Sequence, residues 1–415
     1  MITVQEKIDY LTDKLDQNVG LDGSRDEQDP TGKNKRDRTG IIASSSVLTH
    51  MKSTYKGKVS QAITNLKAGN NQLECKREKI FLGHRDGIWE VKCTDYANNA
   101  ILGTASADHT ACIWDIESGQ RLIQYQGHEG SVNSIRFHEN EPLVCTGSGD
   151  SSAHIWRINL GNFHDFISAG NLNTDEDLIN NNYEGSADSS SGYVIRNSIL
   201  QLRDHSGVVT TADWLLDGDQ IVTASWDRTA KLWDVHTGMV IQTLTGHEED
   251  ITYAATHPTQ NLLVTSSKDT TFRLWDFRSS SIHSVNVFQG HSNTVTSCVF
   301  AKDKIVSGSD DRTVKVWDLK NMRSPSATMR LDSAVNKLSV SNNVIAIPHD
   351  NRHIRLYDLN GNRIARLPRS NGQGHKRMVC CTAWCEDDNA PCNLFSAGFD
   401  RKVIGWNIDM QNGNS

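Results

Sequence analysis

Between residues 251 and 288 the chain alternates short apolar runs with polar turns. The runs at 251–256, 262–266, 271–275 and 284–288 are rich in β-branched and aromatic residues. Runs of that length and composition, with turn residues between them, predict four β-strands in succession. Residues 5–19 read differently. Ile8, Leu11, Leu15 and Val19 recur at steps of three and four with charges between them, which predicts a short amphipathic helix over 1–19. Two heptads are marginal alone in water, so such a helix needs a partner to be stable. Residues 20–72 are dominated by Gly, Ser, Asn, Lys and Thr with few aromatics, and are expected to be a disordered linker.

The four-strand pattern repeats. Gly83-His84, Gly127-His128, Gly246-His247, Gly290-His291 and Gly374-His375 each open a unit, and Asp204-His205 opens another. Each unit reaches a turn aspartate (Asp108, Asp150, Asp227, Asp269, Asp311, Asp400), and six residues later a tryptophan (Trp114, Trp156, Trp233, Trp275, Trp317, Trp406). A degenerate seventh unit lies between 331 and 360, where Tyr357-Asp358 stands in the Trp-Asp position; it is expected to lack the full polar network. A period of about 40–45 residues with these marks predicts the blades of a β-propeller. Residues 76–82 fall where each later unit places its outermost strand, and the last unit has no room for a fourth strand of its own. They are expected to complete the last blade and close the ring, since an open ring leaves two unpaired sheet edges. The expected architecture is all-β, a seven-bladed propeller over 73–410, followed by a tail at 411–415. The step from His128 to His205 is long, and the inserted residues 158–195 carry six acidic residues and no Lys or Arg. They are expected to form a mobile acidic loop at the rim.

Composition narrows the function. The 415-residue length would suggest two or three domains, but one blade cannot bury its faces without neighbours. A net charge of −7 argues against a dominant nucleic-acid or lipid-headgroup binder. No apolar run reaches the roughly 18 residues of a membrane span, and Met1-Ile2-Thr3-Val4-Gln5-Glu6 shows no secretory leader. Nine cysteines without a regular framework suit reduced thiols. Charge is segregated at the start of the chain: residues 1–30 carry eight acidic and three basic groups, and 31–79 eleven basic and three acidic. The cluster Lys33-Asn34-Lys35-Arg36-Asp37-Arg38 reads as a solvated linker, with a nuclear-import or acidic-partner site as the alternative. The stretch Arg363, Arg366, Arg369, Lys376, Arg377 reads as a solvated loop, with an acidic partner as the alternative.

His247, Ser267 and Asp269 invite a catalytic reading, but equivalent sets recur with Ser106, Ser148, Ser225 and Ser309. No enzyme needs five equivalent triads. A network in which the histidine bridges the turn aspartate, the strand serine and the tryptophan indole satisfies buried polar groups. Hence His84, His128, His205, His247, His291 and His375, with their aspartates and tryptophans, are expected to be structural, and no catalytic residue is assigned. Cys380, Cys381, Cys385 and Cys392 near His375 lack paired C-x2-C spacing, so no metal site is assigned. No phosphate-cradling or zinc-hydrolase motif is present, so no cofactor is expected.

The Gly-His and Trp-Asp marks resemble the WD-repeat family over roughly residues 76–410. Several stretches resemble a narrower subgroup of it through loop residues the propeller does not itself require: His84-Arg85-Asp86-Gly87-Ile88-Trp89, 104–110, 267–278, 366–370, 281–291 and 377–381. The resemblance implies a rigid, non-enzymatic scaffold or adaptor in cytoplasm and nucleus, associated with phosphofurin acidic cluster sorting proteins. It also implies where partners dock: on the face around the central channel, at the residue before each turn aspartate and at the third and fifth residues after each opening histidine. The first set is Ala107, Gly149, Trp226, Lys268, Asp310 and Phe399. The second is Gly87, Trp89, Ser131, Asn133, Val208, Thr210, Asp250, Thr252, Thr294, Thr296, Met378 and Cys380. Trp89, Trp226, Met378 and Phe399, flanked by Lys268, Asp250 and Asp310, have the composition of a hot spot. The alternative is a substrate receptor of a cullin ubiquitin ligase, since Trp275-Asp276-Phe277-Arg278 resembles the W-D-x-R box of such receptors.

Overall fold

A computed structural model describes residues 75–409, apart from 97–98, 159–182, 185–191, 217, 279–282, 370–371 and 388–389. The expected helix, the linker with its basic cluster, most of the acidic insertion and the tail lie outside the described residues.

Among the described residues seven sheets follow one another, antiparallel throughout except for one strand added to the first blade. The fourth unit forms strands Ile251–Thr256, Leu262–Ser267, Phe272–Asp276 and Asn286–Phe288, within two residues of the four apolar runs. Seven apolar clusters sit between successive sheets, the seventh joining the last sheet to the first. Between blades three and four, for example, Val222 and Leu232 meet Ile251, Leu263 and Trp275. A blade is therefore covered on both faces. This explains why second strands such as Leu143–Ser148 and Leu262–Ser267 are buried at every position, with no alternation to read. The outer strand Cys75–Leu82 alternates instead, because it lies at the rim.

That N-terminal strand pairs antiparallel with Lys402–Ile408 of the last blade. The ring closes as the repeat phase requires. Phe81, 1% exposed, anchors the seam by packing edge-on against Trp114 and Phe395, with centroids 6.1 and 6.0 Å away.

The insertion departs from expectation at its C-terminal end. Tyr193–Ile195 is not loop: it adds parallel to Arg121–Tyr125, the outer strand of blade one, and pairs on its other side with Tyr183–Glu184. Blade one thus carries six strands. The three-residue run Tyr-Val-Ile has strand composition; the acidic, serine-rich average of the whole insertion conceals it.

Candidate functional site

The opening histidines, turn aspartates and tryptophans meet in the blades. In blade four, His247 Nδ1 lies 2.7 Å from Asp269 Oδ2 and Nε2 lies 2.8 Å from Thr265 Oγ1. The Trp275 indole N–H donates to the same hydroxyl (2.9 Å). The same triangle joins His84, Asp108, Thr104 and Trp114; His205, Asp227, Thr223 and Trp233; His291, Asp311, Ser307 and Trp317; and His375, Asp400, Ser396 and Trp406. The hydroxyl is thus not the serine expected from sequence but a Thr or Ser two residues earlier or, in blade seven, Ser396. The expected serines instead cap the turn: Ser267 Oγ accepts the Asp269 N–H (3.1 Å), as Ser106, Ser148, Ser225 and Ser309 do in theirs. Burial alone would raise the turn carboxyls. Hydrogen bonds from the histidine ring and neighbouring donors outweigh it and hold Asp108, Asp150, Asp227, Asp269, Asp311 and Asp400 below the usual carboxylate range.

Blade two is a variant. His128 bonds Asp150 and Thr146, but the buried Trp156 indole nitrogen has no hydrogen-bond partner. Trp156 stacks on Tyr125 (4.7 Å), and His154 stacks on His128 (3.8 Å). His128, Asp150 and His154 are the one group among the described residues spaced to hold a metal ion. All four ring nitrogens already have protein partners, those of His154 being Tyr125 and Ser152, so an ion would have to displace them. Blade six lacks the triangle, as the sequence implied. Leu331 sits in the histidine position, and Arg355 is tied instead to Asp332 (2.6 Å) beside the buried His349 and His353.

The first strand of six blades carries a register shift four to six residues after the opening histidine: Ile88/Glu90, Val132/Ser134, Val209/Thr211, Ile251/Tyr253, Val295/Ser297 and Val379/Cys381. The bulged residue is the fifth after the histidine, and a bulge re-aims its side chain. That side chain reaches the next blade. Asn133 donates to the Val209 carbonyl (2.9 Å), Thr210 to Ile251 (3.2 Å), Thr252 to Val295 (2.5 Å) and Thr296 to Val335 (2.7 Å). Asn336 continues the series to Val379 (2.8 Å), and the Trp89 indole N–H donates to Ser131 Oγ (3.0 Å). Trp89, Asn133, Thr210, Thr252, Thr296 and Asn336 are thus inter-blade ties, and Thr210 and Cys380 are buried. The period-two pattern could not reveal this, because a bulge breaks the period.

One residue further in blades one, four and six, and three further in blades two and three, side chains from five blades converge. Glu90 of blade one is fully buried and pairs with Arg136 of blade two (2.6 Å). Arg136 also reaches Asp213 of blade three (3.4 Å) and donates to the Tyr253 hydroxyl of blade four (2.8 Å). Lys337 of blade six lies 3.9 Å from Glu90, donates to the Asn133 carbonyl (2.7 Å) and sits over the Tyr253 ring (5.5 Å). Burial would raise the Glu90 pKa; Arg136 and Lys337 together hold it below its usual value. Sequence reasoning missed this charged hub. Its members are scattered over residues 90–337, and each is an unremarkable polar strand residue in its own unit.

The third residue after each histidine and the residue before each turn aspartate do come together. Backbone N–H to carbonyl bonds of 2.8–3.0 Å join Ala107 to Gly87, Gly149 to Ser131, Trp226 to Val208, Lys268 to Asp250, Asp310 to Thr294 and Phe399 to Met378. Their side chains fare differently. Trp226 is 46% exposed, with the Lys268 ammonium 5.0 Å above its ring; Lys268 is in turn paired with Asp250 (2.7 Å). Phe399 is half-buried against Trp89 (5.4 Å) and so close to Gly87 that a Cβ there would lie 2.4 Å from its ring. The Arg377 guanidinium stands 6.0 Å over Phe399. Asp310 is pushed up by burial and by the neighbouring Asp350 and Asp311.

The WD domain, G-beta repeat model matches residues 75–115, 119–157, 196–234, 238–276 and 282–318. WD repeat-containing protein 37 of Xenopus laevis is 50% identical over 345 residues, covering 81% of this chain and 69% of that protein. The chain belongs to the WD-repeat family. The human WD repeat-containing protein 37 is likewise 50% identical, over 344 residues. Mitochondrial division protein 1 of Pyricularia oryzae is 26% identical over 164 residues, 39% of this chain and 23% of that protein. The WD-repeat propeller is in general a protein-interaction fold. The polar residues that look reactive are here committed to holding each hairpin. Among the described residues no helix is long and apolar enough to cross a membrane.

Proposed function

We propose that this WD-repeat protein is a non-enzymatic adaptor whose partners dock on the hairpin tips around the channel mouth, centred on Trp226, Lys268 and Asp250 and extending to Asp310, Met378 and Phe399, with the inter-blade Trp89 contributing where it packs on Phe399. The observation that carries this reading is the large exposed indole of Trp226 beside an exposed ion pair, since hot spots favour aromatic anchors in polar surroundings. Similarity to WD repeat-containing protein 37 supports phosphofurin acidic cluster sorting proteins as the partners, and cytoplasm and nucleus as the setting. Trp226→Ala should weaken co-purification of such a partner by roughly tenfold or more, consistent with an anchor worth about 2 kcal/mol, with an unchanged melting temperature. Phe399→Ala should lower both, because its ring fills the space over Gly87. Unchanged affinity in the Trp226 variant discards the site.

The cullin-ligase alternative rests on Arg278, whose exposed guanidinium bonds Asp276 of the same segment (Nη2 to Oδ2, 2.6 Å). Co-purification with the ligase adaptor, lost in Arg278→Ala, would favour it over the sorting-protein reading.

A further inference from the structure

Five of the nine cysteines share one apolar cluster. Cys112, Cys381 and Cys392 are buried in it, and Cys93 and Cys385 pack at its edge. It is the cluster between blades seven and one, where the ring closes. All five are free thiols. Cys93 lies on the first strand of blade one, Ile88–Tyr96, and Cys385 directly follows the first strand of blade seven, Val379–Trp384. These neighbouring strands pack against each other across the seam and bring both side chains to the edge of that one cluster. Cys381 points into the same seam, its Sγ 3.8 Å from the Val91 carbonyl of blade one.

We propose that Cys93 and Cys385 are a redox-active dithiol, which closes to a disulfide by exchange with small-molecule disulfides and ties blade seven to blade one. The geometry assigns the roles. Cys385 lies just past the end of its strand and Cys93 within the body of its own, so Cys385 is the attacking thiol; a hydrogen bond from Cys93 supports this by lowering its pKa and raising that of Cys93. The Asp95 and Asp387 carboxylates oppose both thiolates, while the Asp387 backbone N–H favours that of Cys385. Cys385 sulfur attacks one sulfur of the reagent; the S–S bond breaks, the first thiol leaves and a mixed disulfide forms. Cys93 then loses its proton and attacks Cys385 sulfur, and the second thiol leaves. One protein dithiol and one reagent disulfide give one protein disulfide and two thiols. The bond would join residues far apart in sequence but adjacent across the seam.

The test treats the full chain, without denaturant, with bis(2-hydroxyethyl) disulfide, then blocks remaining thiols and maps peptides by mass spectrometry. The expected product is a Cys93–Cys385 cross-linked peptide pair, two hydrogens lighter than the reduced pair and carrying no hydroxyethyl adduct. Cys93→Ser should trap a mixed disulfide on Cys385, and Cys385→Ser should leave Cys93 unmodified over the same time. Separate stable adducts on both cysteines in the unsubstituted protein, or recovery of both as free thiols, overturn the proposal. That measurement needs no variant to fold. A melting temperature that rises on oxidation and returns with reductant would show the staple acting on the ring.

Discussion

Replacing Arg136 by methionine isolates the charged hub between the blades. The substitution keeps most of the aliphatic length and removes the guanidinium. Arg136 makes an ion pair of 2.6 Å to Glu90 and one of 3.4 Å to Asp213, and donates to the Tyr253 hydroxyl and the Ile135 carbonyl. Without it, Glu90 keeps only the Ile135 N–H at 3.1 Å, with Lys337 at 3.9 Å as nearest cation. Asp213 is less exposed to loss, because Thr256 donates to it twice, at 3.0 and 3.1 Å. Stranding a buried charge costs about 3–5 kcal/mol. The remaining Lys337 places the expected loss near the lower end, about 3 kcal/mol. Glu90→Gln with Arg136→Met removes the stranded charge as well, so the double variant should lose less than the two singles summed, with a coupling of roughly 1–3 kcal/mol. Urea denaturation followed by tryptophan fluorescence measures all four proteins, with slopes compared to check that the unfolding transition is the same. A loss below about 1 kcal/mol for Arg136→Met, or strict additivity of the pair, would refute the hub as a coupled unit.

Two further outcomes are expected. The turn aspartates have folded-state pKa values below the unfolded value of about 4. Their contribution is therefore complete above that pH and is lost as pH falls through the lower folded values, so the melting temperature should drop steeply below about pH 4. A flat profile between about pH 5 and pH 2 contradicts the networks. Phe81→Ala should cost about 3–5 kcal/mol, the usual loss for a buried ring, because the ring sits between Trp114 and Phe395 at the closing seam. Calorimetry of that variant, with less than about 1 kcal/mol lost, would show that closure does not rest on this strand.

Much of the ring was legible because each unit is short and repeats its marks in register. The six-residue step from aspartate to tryptophan placed the turn and third strand, and the spare segment before His84 found its sheet because the last unit was one strand short. What escaped was non-periodic. Thr265 and Ser267 lie two residues apart on the second strand and share a face, so the alternation that sorts one face from the other could not decide between them. The bulge at Trp89, Asn133, Thr210, Thr252 and Thr296 adds one residue to a strand, which shifts every face assignment beyond it. Glu90, Arg136, Asp213, Tyr253 and Lys337 meet only once five units are arranged in a circle. Tyr193–Ile195 was hidden because composition was averaged across the insertion.

The bulged positions also set how such a molecule can be altered. A side chain there spans the gap to the adjoining sheet, so exchanging it to reshape a contact with another protein would loosen the wheel at the same stroke. The tips that carry Trp226, Lys268 and Asp310 hold their geometry by main-chain bonds, which do not depend on the identity of the residue. New recognition can therefore be written at those tips while the inner circle stays as it is.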